Sequence, residues 1–101
     1  MPYKLSWKNT ILEGYRNIVS WENPMSSPII EENHQKNVLN GNILDSGLAI
    51  DPDNPYIGNC WVIYKDQATA EMIFEENSKA VPDIYQSLEG IIASDIVWSD
   101  V

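Results

Sequence analysis

Apolar and polar residues alternate from residue 3 to residue 8, with Tyr3, Leu5 and Trp7 on one side and Lys4, Ser6 and Lys8 on the other. A period of two predicts a half-buried strand. Residues 9–14 are mostly polar and end on Gly14, after which Tyr15, Val19 and Trp21 share one parity and Ile18 takes the other. Residues 15–21 therefore read as a second strand folded back on the first, with a short helix as the alternative. Asn23-Pro24 is a turn signal, and Ser27-Pro28 fits a helix cap followed by proline at the first helical position. Glu31 and Glu32 then fall near the positive end of the helix dipole, Lys36 near its negative end, and Asn40-Gly41 supplies a stop. A helix over residues 28–39 follows. Its apolar face is thin, with only Ile29, Ile30, Val38 and Leu39, so it is expected to pack at its ends on the edge of the domain.

Alternation returns over residues 42–50, where Leu44, Leu48 and Ile50 oppose Ile43, Gly47 and Ala49. The Asp51-Pro52-Asp53-Asn54-Pro55 run is a dense turn cluster, and residues 60–65 form a β-branched and aromatic run with both parities apolar, as a central strand requires. These two strands are predicted to pair as an antiparallel hairpin. Asp66 is placed to cap a second helix whose stripe is Ala70, Ile73 and Phe74, with Met72 alongside and Glu71, Glu75 and Glu76 facing outward. A shorter helical turn after Pro82, with Ile84 and Leu88 on one face and Gly90 as its stop, leads into a last strand over residues 91–98, interrupted by Ser94 and Asp95. The result is an α+β fold: a mainly antiparallel sheet of four to five strands with two to three helices on one face. Strand, helix, strand, strand, helix, strand is the order of the ferredoxin-like arrangement, and small domains of that shape often pair sheet to sheet, so a homodimer is one expected assembly.

Composition narrows the class. The chain has 101 residues, 44% of them apolar and 21% charged, which suits one globular domain over residues 1–101. No apolar run approaches the roughly 20 residues of a membrane helix, and Lys4 and Lys8 are not followed by the apolar stretch of a secretory signal. The single cysteine, Cys60, cannot close an internal disulfide, and a reducing, cytoplasmic setting is the simplest expectation.

Charge adds an asymmetry. The formal net charge is -9. Residues 1–50 carry five acids (Glu13, Glu22, Glu31, Glu32, Asp45) against four bases, whereas residues 51–101 carry ten acids against Lys65 and Lys79 alone. A negative field of that kind repels phosphate backbones, which disfavours direct nucleic-acid binding, and favours basic partners. The plainer consequence of net charge is solubility.

Candidate chemistry is sparse. Nine of the ten aromatics are Trp or Tyr, types that serve where one end of a side chain is apolar and the other wet. Trp7, Trp61 and Trp98 all fall on predicted strands and, if registers agree, would line one sheet face as a pocket with Tyr64 as its polar group. Glu31 and His34 have the spacing of carboxylate-bridged di-metal bundles, but neither a second histidine nor the remaining helices exist, so a solvent-facing histidine is expected. Asp51, Asp53 and Asn54 lack the further acids and glycine of a calcium loop, and the turn explains them. Cys60 opens an apolar run, where burial suppresses thiol reactivity, and is read as packing. No glycine-rich phosphate loop occurs. No catalytic residue, cofactor or metal is therefore expected.

Glu71 and Glu75 lie four residues apart, so their like charges sit side by side on a helix. The expectation is a small, acidic, non-enzymatic binding protein of inhibitor or antagonist type, meeting a basic protein surface through Glu71, Glu75, Glu76, Asp83 and Tyr85. The alternative is a dimeric, ferredoxin-like ligand-binding or cofactor-independent enzyme domain with the pocket Trp7, Trp61, Tyr64 and Trp98.

Overall fold

A computed structural model describes residues 1–21, 28–81 and 90–101. Strands β1 (Tyr3–Ile11), β2 (Ile43–Ile50), β3 (Ile57–Tyr64) and β4 (Ile91–Asp100) alternate with helices α1 (Pro28–Leu39) and α2 (Gln67–Ala80). The sheet order is β2-β3-β1-β4, and every neighbouring pair is antiparallel. This α+β topology is the ferredoxin-like order expected from the sequence. The predicted short helical turn after Pro82 lies outside the described residues, as does Ser27 before α1.

Residues 15–21 do not form the expected second strand. A 3-10 turn, Glu13–Tyr15, follows β1, and the amides of Ile18 and Val19 donate to the Tyr15 carbonyl to continue the turn. The reason is topological: β1 already pairs with β3 on one side and β4 on the other, so it has no edge left for a hairpin partner. Instead, Val19 plugs the end of the sheet against Ile11 and Ile91. Tyr15 lies over Gly90, whose φ of +78° and lack of a side chain both favour glycine there.

Register sorts side chains onto two faces. Leu5 pairs with Val62, and Tyr3 with Tyr64; together with Ile43 they meet Ala70 and Ile73 of α2 in the main core. The His34 Nε2 to Ser46 Oγ contact of 3.2 Å sets α1 over β2 on this same side. Two irregularities keep the pattern. One extra residue in β2 between Ile43 and Asp45 returns Ile43 to the helix side. A bulge in β4, opposite Trp7, has Asp95 in the left-handed region at φ 51°; it shifts parity so that Ile91 and Trp98 both turn toward the helices.

Candidate functional site

The two helices are held by different chemistry. α2 begins where Asp66 accepts a 2.8 Å hydrogen bond from the Thr69 amide, and hydrogen bonding to the Thr69 side chain and then to its amide holds the Asp66 carboxyl below the usual range. Its inner face buries Ala70 and Ile73 completely or nearly so. In α1 the buried residue is Asn37, whereas Ile29, Val38 and Leu39 are exposed. Asn37 Nδ2 donates to the Asn33 carbonyl at 2.8 Å, and its Oδ1 accepts from Asn42 Nδ2 at 2.9 Å. Asn33 Nδ2 in turn donates to Asn77 Oδ1 at 2.9 Å, tying α1 to α2. A chain of amides thus takes the place of the missing apolar stripe.

Above that tie runs a groove of about 520 Å³ lined by Ile29, Glu32, Asn33, Lys36, Glu76 and Asn77. Glu32 stands on one helix and Glu76 on the other. The exposed side chains of Glu31, Glu71 and Glu75 extend the same helix layer; Glu31 is bonded to Gln35, Glu71 to Gln67, and Glu75 pairs with Lys79 at 3.3 Å. Within the two helices, five glutamates face Lys36 and Lys79 as the only full cations.

This layer contains part of the predicted surface and adds to it. Glu71, Glu75 and Glu76 all lie exposed on α2; Asp83 and Tyr85 lie outside the described residues. Among the described residues the other downstream acids are dispersed: Asp51 and Asp53 in the β2–β3 turn, Asp66 at the cap of α2, Asp100 at the end of β4, and Asp95 against Lys8 at 3.7 Å. The concentration of negative charge on the helices depends instead on Glu31 and Glu32 from the first half of the chain. Sequence reasoning passed over these two because their place in the first turn of α1 already accounted for them.

The proposed aromatic pocket does not assemble. Trp61 pairs with Ser6 and Gly47 on the face away from the helices, while Trp7, Tyr64 and Trp98 lie on the helix side. Odd and even positions of β3 point to opposite faces, so Trp61 and Tyr64 cannot line one pocket. Trp98 is part of a packed stack, 5.8 Å from the Tyr3 ring, 6.3 Å from Tyr64 and edge-on to Phe74 at 5.6 Å. Trp7 Nε1 donates to Asn9 Oδ1 at 3.1 Å, and Asn9 Nδ2 donates to Cys60 Sγ at 3.6 Å. Burial pushes the Cys60 thiol up to about 11, in keeping with a packing role. His34 is half-buried against Ser46, not turned to solvent as predicted, because α1 presents it to β2. In the β2–β3 turn, Asp51 and Asn54 accept from the amides of Asp53 and Tyr56, local bonds of the kind that shape a turn. Among the described residues no helix is long and apolar enough to cross a membrane.

No protein-family model and no curated protein matches the chain. A solved structure is similar: the crystal structure of a conserved protein from Methanosarcina mazei Go1, at 11% identity and a TM-score of 0.53, with 98% of this chain and 89% of that one covered. At that identity the likeness carries the α+β fold and nothing about chemistry.

Proposed function

We propose that this protein is a non-enzymatic binding module whose helix layer docks a basic protein surface, in the manner of an inhibitor or antagonist. The observation that carries the reading is the groove between α1 and α2, walled by Glu32 and Glu76 and continued by exposed Glu31, Glu71 and Glu75. The groove also holds Lys36, but five glutamates against Lys36 and Lys79 leave the helix layer net negative, and an excess of one sign around a cleft steers an oppositely charged partner. Exposed Ile29 and Met72, 58% and 47% accessible, supply apolar contact beside the charges. The reading takes the partner to be a protein, since phosphate backbones are repelled, and the setting to be cytoplasmic, in keeping with a lone thiol.

The test is affinity capture from a lysate of the source cells at low and high salt, with the chain and with a Glu71→Lys, Glu75→Lys, Glu76→Lys variant. Screening shortens the reach of charge from about 10 Å at 0.1 M salt to about 3 Å at 1 M. Basic proteins retained at low salt, released at high salt and lost with the variant are the expected outcome. Failure to retain any basic protein, together with a tryptophan fluorescence response to small metabolites, would sink the reading and favour a ligand-binding domain.

A further inference from the structure

The face of the sheet away from the helices carries Ile57, Trp61, Ile63, Ile92 and Val97, with Ala49 at its margin. A sheet face left to water is ordinarily polar. Among the described residues no helix covers this one, yet it bears a tryptophan and four β-branched residues. Its surface is also flattened by design of the sequence. A Cβ on Gly47 would lie 2.5 Å from Trp61 Cζ2, so glycine is what allows the indole to lie down across β2, where its Nε1 donates to Asp45 Oδ2 at 3.1 Å.

Charge selects the occupant. The whole chain carries -9, but this face holds Lys4 and Lys8 against Asp45 and Asp95, and so has no net charge. Two copies can approach through it while their acidic helix layers point outward and stay far apart. A basic partner is drawn instead to the helices, and an acidic one finds no attraction here. Strands about 4.8 Å apart and residues about 3.3 Å apart give four strands of eight residues roughly 500 Å² of face. Two such faces hide about 1,000 Å², the size at which a specific interface begins. We propose that this open face is the interface of a homodimer, packed sheet on sheet. A two-fold axis along the strands, between β1 and β3, sets β3 of each copy over β1 of the other. β2 then lies over the partner's β4, and the Trp61 indole, spread across Gly47, meets the partner's Val97, which stands level with it through Ser6.

Sedimentation equilibrium on the full chain tests this, with Val97→Lys, Gly47→Val and, as a control on the helix side of β2, Ile50→Lys. Val97 and Ile50 are 51% and 53% exposed, so both lysines are accommodated by the folded chain, as circular dichroism and urea unfolding will check. The unaltered protein should sediment at twice the 11.5 kDa chain mass. Val97→Lys and Gly47→Val should each raise the dimer dissociation constant by about 30-fold or more, because the two-fold places the altered contact in the interface twice, and Ile50→Lys should leave it unchanged. A monomer at about 100 µM, a dimer indifferent to both open-face variants, or one weakened equally by Ile50→Lys would each overturn the proposal.

Discussion

The same four strands present two faces, and only one of them is covered by the chain's own helices. On the covered side Leu5, Val62 and Tyr64 meet Ala70 and Ile73 and are buried. On the other side Trp61 and Ile63 are only half-buried, and Ile92 and Val97 stand exposed. Both sides of β3 are apolar, so hydrophobic patterning alone does not say which is core. The difference teaches that the chain's own core needs one face only, and that the apolar residues of the other are not accounted for by that core.

Substitutions that compare the faces should differ steeply. Ile73→Ala removes a side chain only 1% accessible and should cost about 2–5 kcal/mol in urea unfolding; a loss below that range would mean that α2 is not a true lid on the sheet. Next comes Asn37→Ala, which leaves the Asn42 side-chain amide without its acceptor and the Asn33 carbonyl without its side-chain donor. It should cost about 1–3 kcal/mol and speed hydrogen exchange in α1 more than in α2. Equal acceleration in both helices would argue against an amide-held α1.

A smaller loss is expected from Asp66→Ala, which removes the cap of α2. Because the folded-state pKa of Asp66 is lowered, its contribution is present above the unfolded value of about 3.9 and fades as pH falls through the lower folded value. The stability gap between the two proteins should therefore be constant near neutrality and close in acid; a gap that persists at the lowest pH would show that the charge is not what the cap uses. Least affected should be Ile92→Thr on the open face, within about 0.5 kcal/mol at protein concentrations low enough to favour monomers. A loss approaching that of Ile73→Ala would erase the distinction between the faces.

Much of the architecture was legible. End signals placed α1 at its observed limits, Pro28–Leu39, because proline, dipole-matched charges and Asn-Gly act locally. Asp66 was recognised as a cap for the same reason. The strand expected over residues 15–21 failed because a strand also needs a free edge, and that is a property of the assembled sheet. The aromatic pocket failed on parity: Trp61 and Tyr64 are three apart on one strand, so they point to opposite faces. Glu31 and Glu32 escaped notice because a carboxylate in a first helical turn already has a local reason to be there.

By itself, then, the chain's residue order determined what is decided over a few neighbours: where helices start and stop, which stretches are extended, and an excess of negative charge. Tertiary structure decided which carboxylates share a surface, which tryptophan lies inside and which across Gly47, and which apolar face is left open. Those outcomes depend on register and layer packing between segments distant in sequence, and no local pattern encodes the partner that a side chain will meet.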